Sequence, residues 1–282
     1  MKSNIYKSFT LTAVIISKNE ELHIERCIKS LKKHVDKIVV IDSGSTDNTK
    51  EIALTNGAEF LFNKWEGYSK QINWAIDKVS KYSDWIIRVD ADEVLNSTKL
   101  ICKDYLKNLP SNVNGLTIKR NIFFNRSLIK YGGMSNQKII RIFRSGFGKC
   151  DNRDMDEHFL VLPKIIDSPF VLSDISLIDF KNFVIKHIDY AYLEVNSINQ
   201  KEESQNVFKY NASTNLKKNL KKYVFYKIPS RLRPFLYFLY RMLIKKGIFE
   251  NTKGFYYHLF QGLMYRSFVE YLYYLKRLES KE

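Results

Sequence analysis

The chain has 282 residues, 45% of them hydrophobic, which is enough for one large α/β domain with or without an appendage and excludes a disordered composition. Its three cysteines, Cys27, Cys102 and Cys150, are far apart and form no Cys-x-x-Cys, so neither a zinc cage nor a disulfide framework is indicated and a reducing cytosol is the natural setting. Net charge is +16 and uneven: from Lys209 to the end 16 Lys/Arg stand against 4 Asp/Glu, which points to a basic C-terminal surface with an anionic partner.

Leu11 to Ile16 is short, apolar and β-branched, and reads as a buried strand. Charged residues follow it with no small-residue cleavage site, so it does not read as a signal peptide. Glu20 to Lys33 has helical spacing, with Leu22, Cys27, Ile28 and Leu31 as its apolar stripe. Lys37 to Ile41 is a second buried strand. It ends in the turn-rich Asp42-Ser43-Gly44-Ser45-Thr46-Asp47, where Ser45 or Thr46 suits the N-cap of a helix running to about Asn56. Glu59 to Phe62 reads as a third strand, Tyr68 to Val79 as a helix, and Trp85 to Val89 as a fourth strand.

This alternation is the grammar of a parallel sheet with right-handed crossovers, and ligands of such sheets bind beyond the carboxyl ends of the strands. Ser17-Lys18-Asn19, Asp42-Ser43-Gly44 and Asp90-Ala91-Asp92 all fall at carboxyl ends, so three polar clusters converge on one edge. On an extended strand, residues two apart share a face, which would aim the Asp90 and Asp92 carboxylates at one point. Like charges that close call for a cation between them, and a hard ion with oxygen ligands, Mg²⁺ or Mn²⁺, fits. Beyond Asp92, Gly115 to Phe124 and Gln137 to Arg144 read as strands, Ser145 to Gly148 as a turn, and together as an antiparallel addition that covers the sheet's ligand edge. Helices dominate from Ile185.

Three segments in order, Thr12-Ala13-Val14-Ile15-Ile16-Ser17-Lys18-Asn19-Glu20-Glu21, Ile41-Asp42-Ser43-Gly44-Ser45-Thr46-Asp47-Asn48-Thr49 and Val89-Asp90-Ala91-Asp92-Glu93, resemble family-two glycosyltransferases of GT-A fold. The later segments Lys119 to Phe124, Tyr131-Gly132-Gly133, Ile140 to Arg144 and Asp156-Glu157-His158 are similar to the bacterial subgroup that adds a sugar, often glucose, to the lipopolysaccharide inner core. The resemblance implies a mostly parallel α/β sheet flanked by helices, with a catalytic domain over 1–184 (nucleotide-binding half 1–98, acceptor half 99–184) and a helical, basic-aromatic extension over 185–282.

It also implies roles. Asp42 would accept a hydrogen bond from the uracil of a UDP-sugar. The backbone at Ile16 and Ser17 and the side chain of Glu20 would line the base and ribose pocket. Asp90 would face the ribose or a metal water, and Asp92 would hold Mg²⁺ or Mn²⁺. The family often has a basic residue directly before Asn; here Ile72 precedes Asn73, and Lys70 would supply the charge from the preceding turn. For inverting transfer to a glycan or lipid-linked glycan, a carboxylate must take the acceptor proton on the face opposite the diphosphate. Glu157 falls on the subgroup's acidic position, with Asp156 as the second candidate. Arg141 and Arg144 are candidates to meet phosphate.

Tyr223 to Leu278 interleaves aromatic, aliphatic and basic residues in a pattern that suits an anionic membrane interface. The longest apolar run, Pro234 to Ile244, is too short to span a bilayer and carries Arg241. The expected location is cytoplasmic, peripheral on the inner face of the cytoplasmic membrane; helix packing within the chain or on a second subunit is the other reading. No helix-turn-helix, zinc-finger or RNP pattern supports nucleic-acid binding. A nucleotidyltransferase would carry a Gly-rich basic loop after the first strand, and Ser17-Lys18-Asn19-Glu20 is not one. Acceptor uses in capsule, exopolysaccharide or protein glycan assembly remain open, as does a non-catalytic nucleotide-sugar binder.

Overall fold

Strict alternation in β1 (Leu11–Ser17) sends Leu11, Ala13 and Ile15 to one face and Val14 to the other, and every one of these side chains is buried. In this computed structural model, which describes residues 9–96, 100–151, 159–197 and 228–279, β1 is central to a parallel group. It pairs with β2 (Lys37–Asp42) on one side and β4 (Trp85–Asp90) on the other, and β3 (Glu59–Phe62) pairs with β2, all parallel. Burial on both faces explains why β1, β2 and β4 read as near-continuous apolar runs.

The helices of the crossovers cover both faces. In α1 (Ile24–Leu31), Ile24, Cys27, Ile28 and Leu31 recur at helical spacing and join the core cluster that holds Leu11, Ala13 and Ile15. Ala53 of α2 (Thr49–Thr55) belongs to the same face. In α3 (Tyr68–Val79), Ile72, Ala75, Ile76 and Val79 close the opposite face with Val14, Val39, Ile41 and Ile86.

Beyond β4 the sheet changes direction. A short β5 (Glu93–Leu95) leads to α4 (Cys102–Lys107) and β6 (Gly115–Phe124), then the two-residue β7 (Ser127–Leu128) and β8 (Gln137–Arg144). A hairpin of β9 (Gly148–Cys150) and β10 (Phe159–Val161) precedes the long β11 (Ile165–Ile175). The main path runs β3-β2-β1-β4-β8-β6-β11-β5, with β8 antiparallel to both β4 and β6. The antiparallel addition expected from the sequence is present, but it extends the sheet sideways from β4 rather than covering its ligand edge, because β8 pairs directly with β4.

Several sequence-based boundaries shift. The first helix begins at Ile24 rather than Glu20, because Glu20 and Glu21 close a loop instead, and Leu22 is 59% exposed rather than part of the stripe. Neither Ser45 nor Thr46 caps α2; Asn48 occupies the N-cap, and the Asp47 carboxylate accepts from the Thr49 amide at 3.0 Å. β11 escapes a periodicity reading because Pro169 interrupts it and its register with β6 shifts between Asp167 and Val171.

The chain forms two compact units. The first takes in the described residues of 9–123, 136–151 and 159–177; the second takes in 124–135, 178–197 and 228–279. In the second unit, α5 (Phe180–Ser197) packs Ala191 and Val195 against Tyr265 and Val269 of α8 (Tyr265–Glu279). Glu194 accepts from the Tyr265 hydroxyl at 2.6 Å and from Arg266 at 2.8 Å, which fixes that pairing. α6 (Arg233–Leu239) and α7 (Thr252–His258) complete it, each running into a π-helical turn, at Tyr240–Ile244 and Leu259–Met264.

Candidate active site at the carboxyl edge of the parallel strands

The first loops to meet at this edge are those after β1 and β2. Ser17 pairs in register with Asp42. The Asp42 carboxylate is 2% exposed and takes four donors: the Ser17 hydroxyl at 3.0 Å, the Ser45 hydroxyl at 2.5 Å, and the Gly44 and Ser45 amides at 2.7 Å each. These fill its acceptor capacity. Gly44, at φ 101, supplies the backbone conformation the turn requires. Asn19 bridges the two loops, its amide donating to the Ser45 hydroxyl at 2.8 Å and its side-chain oxygen accepting from the Thr46 amide at 2.8 Å. Asp42 and Asn19 therefore give the edge a fixed outline.

Glu20 is tied in as well. Its amide donates to the Thr49 hydroxyl, and its carboxylate lies 2.7 Å from His23 Nδ1. His23 Nε2 accepts from the Leu177 amide at 2.8 Å, which assigns the imidazole proton to Nδ1, facing Glu20. Ile16 lies in register between Ile41 and Asp90, so the backbone at Ile16 and Ser17 is flanked by both acidic strand ends.

At the end of β4 the geometry departs from the sequence reading. β4 ends at Asp90, and Ala91-Asp92 form a turn into β5, so Asp90 and Asp92 do not share a strand face. The side chain two residues from Asp90 that does share its face is Arg88. Asp90 Oδ1 accepts from Arg88 at 2.5 Å and from the Tyr68 hydroxyl at 3.0 Å, and Oδ2 accepts from Arg141 at 2.8 Å. Arg141 also donates to Glu93 at 2.6 Å, and Glu93 accepts from the Asp90 amide at 3.0 Å. Arg141 and Glu93 are 2% and 1% exposed at their side chains. The cations that let two acids gather here are thus the guanidinium groups of Arg88 and Arg141. Arg141 is an internal partner rather than a surface phosphate contact. Arg144 lies over the Trp85 ring at 4.6 Å and donates to the Val113 carbonyl.

Burial, then the neighbouring Asp90 carboxylate, pushes the Glu93 carboxyl well above its usual range, with Arg88 pulling the other way. Burial raises the Cys27 thiol in the same manner, and Glu93, Asp92 and Asp90 add to it. All three cysteines are buried, which suits packing rather than nucleophilic chemistry. The Asp92 carbonyl accepts from the Ile175 amide at 3.0 Å and from Arg26 at 3.4 Å, so the turn that carries Asp92 is anchored to the end of β11.

Lys70 is 70% exposed at its side chain and pairs with Glu66 at 3.2 Å. Asn73 is structural in this arrangement: its amide group donates to the Cys150 carbonyl at 2.9 Å and accepts from the Cys150 amide at 2.8 Å, joining α3 to β9. The candidate bases Glu157 and Asp156, with His158, lie outside the described residues. A shallow cavity lined by Lys32, Asp36, Asn56 and Glu59 opens at the amino ends of β2 and β3, the edge opposite these acids.

A divalent ion can be weighed against these groups. Among the described residues no three His, Cys, Asp or Glu side chains are placed to hold a metal together. Asp90 is already engaged by two arginines. Asp92, in an anchored turn within the field of Arg26, would give one carboxylate to an ion completed by substrate phosphates and water. The residues fit a shared ion of that kind and not a protein-only cage.

Fold and edge together define an α/β domain with acids and hydroxyls gathered at the carboxyl ends of its parallel strands. Residues 12–127 match the family model described as Glycosyl transferase family 2. It is 30% identical over 150 residues to the lipopolysaccharide core biosynthesis glycosyltransferase LpsC of Rhizobium meliloti, covering 50% of this chain and 53% of that one. It is 44% identical over 86 residues to an uncharacterized glycosyltransferase of Rickettsia bellii, covering 30% of this chain and 29% of that one. The matched segments thus span about half or less of these relatives' own length. Among solved structures, glucosyl-3-phosphoglycerate synthase of Mycobacterium tuberculosis, in complex with Mn²⁺, UDP and glucosyl-3-phosphoglycerate, is 22% identical with a TM-score of 0.32, covering 41% of this chain and 45% of that one.

Proposed function

We propose that the chain is an inverting glycosyltransferase that moves a hexose, glucose first among candidates, from a UDP-sugar to a glycan or lipid-linked glycan such as the lipopolysaccharide core. The observation that carries this reading is the register at the carboxyl edge: Asp42 and Asp90 flank the end of β1 on its two sides. With strands about 4.8 Å apart, the two acidic ends are about 10 Å apart, room for a nucleotide between them. The family match over 12–127 and the similarity to LpsC support the reaction and acceptor class.

Each residue then has a task. Asp42 holds the loop against which the uracil would rest, while Ile16, Ser17 and Glu20 border the base and ribose. Asp90, steadied by Arg88 and Arg141, lies beneath the ribose and diphosphate. Asp92 would hold Mg²⁺ or Mn²⁺, which when bound neutralises charge on the departing diphosphate. Lys70 and Asn73 stand on the helix whose Tyr68 hydroxyl touches Asp90, Asn73 fixing that helix and Lys70 offering a mobile cation. Glu157, with Asp156 second, would take the acceptor proton.

A thermal-shift panel of nucleotide sugars with Mn²⁺ tests the donor assignment. A ligand at one hundred times its Kd stabilises by about 2.7 kcal/mol, which in a chain of this size raises Tm by about 4–6 °C. UDP-glucose should give such a rise and GDP- and CMP-sugars should not; no response to any uridine nucleotide would count against the reading.

A further inference from the structure

One turn in the second unit is both strongly apolar and strongly exposed. α6 runs into the π-helical turn Tyr240–Ile244, Lys246 takes a left-handed conformation at φ 61, and a 3₁₀ turn covers Gly247–Phe249. The inward residues of this turn are Arg241, Met242 and Gly247, all buried. The outward ones are Leu243, Ile244, Ile248 and Phe249, at 59%, 70%, 61% and 70% exposure. Leu236 and Tyr240 extend the exposed stripe back along the same face at a spacing of four.

The turn is pinned in this pose. The Lys245 carbonyl accepts from the Gly132 amide at 2.8 Å, the Lys245 amide donates to the Tyr240 carbonyl at 3.0 Å, and the Phe249 amide donates to the Lys246 carbonyl at 3.1 Å. Tyr131 braces the Phe249 ring at 6.3 Å between centroids. The apolar side chains cannot turn inward without breaking these bonds, so the exposure is held by the fold. A contiguous apolar surface of this kind marks a binding face.

Charge selects the occupant. Lys245 and Lys246 are exposed in the middle of the patch, and residues 231–249 hold five Lys/Arg and no Asp/Glu. A two-fold pairing of the patch with a second copy would bring these lysines together, which is unfavourable. An anionic lipid surface satisfies both halves, with acyl chains for the aliphatic and aromatic groups and headgroups for the lysines. No helix among the described residues is long and apolar enough to cross a membrane, so the engagement is interfacial.

We propose that residues 240–249 dock the chain onto anionic bilayers, with Leu243, Ile244, Ile248 and Phe249 entering the acyl boundary and Lys245 and Lys246 meeting headgroup phosphates. This stands independently of the donor site.

The test is flotation of the full chain with phosphatidylcholine vesicles with and without phosphatidylglycerol, at low and high salt. The chain should float with the anionic vesicles and detach as salt rises. Lys245→Gln with Lys246→Gln should lower the partition coefficient about 25-fold, about fivefold per lysine. Ile244→Glu with Phe249→Glu should lower it at least about tenfold, with an unchanged thermal melt because both side chains are exposed. Phe249→Trp should shift its emission to the blue on anionic vesicles and be quenched by brominated acyl chains. Absence of flotation at low salt, equal binding to neutral vesicles, or indifference to both double substitutions would overturn the proposal. Self-association abolished by Ile244→Glu with Phe249→Glu, without vesicle binding, would assign the patch to a second copy instead and equally overturn it.

Discussion

The Ser17 hydroxyl donates to the Asp42 carboxylate at 3.0 Å, and the same two residues are paired in register across β1 and β2. That one contact locks the loop after the first strand to the loop after the second. The remaining three donors to Asp42 come from Gly44 and Ser45, so removal of the carboxylate frees two backbone amides as well as two hydroxyls. Asp42→Ala should destabilise the chain by about 1–3 kcal/mol, since it removes charge-assisted bonds to the amides of exposed Gly44 and half-buried Ser45, which water replaces in part. Asp42→Asn should cost less than half as much, because its oxygen can accept from the amides while the hydroxyls rotate to accept from its nitrogen. Urea midpoints of the two variants check the ordering, and UDP affinity should follow it.

Arg141 and Glu93 form a buried pair whose partners also hold Asp90. Arg141→Met leaves Glu93 buried without its guanidinium and should cost about 3–5 kcal/mol. Adding Glu93→Gln removes the stranded charge and should recover most of that loss. Chemical denaturation of the two single variants and the double variant reads the coupling directly; strict additivity would mean that the pair is not what supports this end of β4.

His258 in the second unit gives the chain an acid-sensitive element. Burial, then Arg241, lowers its pKa to about 4 from 6.5. Arg241 lies 2.6 Å from His258 Nδ1, and Gly132 and Gly247 pack against the ring. The unfolded chain protonates this group near pH 6.5 and the folded chain only near 4, so between those values the unfolded state binds more protons. The stability contribution is complete above about pH 6.5 and declines as pH falls toward 4. His34 and His187, lowered chiefly by burial, add to the same slope. Urea midpoints should fall from pH 7 to pH 5, and His258→Gln should flatten part of that fall.

Glu157 is the proposed base. Glu157→Gln should lower turnover by about 10²-fold or more at unchanged donor affinity, as loss of general base catalysis does. Single-turnover transfer with saturating UDP-sugar measures it, and a mild effect beside a strong one for Asp156→Asn would exchange the two roles.

β1, β2 and β4 were legible because they are buried on both faces. Leu11 to Ile16, Lys37 to Ile41 and Trp85 to Val89 leave no competing period, and the acids that follow mark the edge. β11 was not legible, because Pro169 and a register shift break its alternation. At the site, the convergence of Ser17, Asp42 and Asp90 was readable from topology alone. The ion pairs around Asp90 were not, since Arg141 reaches Asp90 and Glu93 only because β8 lies antiparallel to β4. One clue was present: Arg88 stands two residues before Asp90 in an otherwise apolar strand, the spacing that places both on one face. The expectation that Asp90 and Asp92 share a face failed for a local reason, because the strand ends one residue after Val89 and the chain turns.

We propose that the edge that gathers Ser17, Asp42, Asp90 and Asp92 binds a uridine diphospho-sugar with a divalent ion. Isothermal titration of UDP into the full chain, with Mn²⁺ and with chelator, and repeated on Asp92→Asn, tests it most directly. The expected result is metal-dependent binding that Asp92→Asn weakens at least about tenfold, about 1.4 kcal/mol, while its thermal melt stays that of the wild type. Equal affinity with chelator and in Asp92→Asn, or no UDP binding at all, would contradict it.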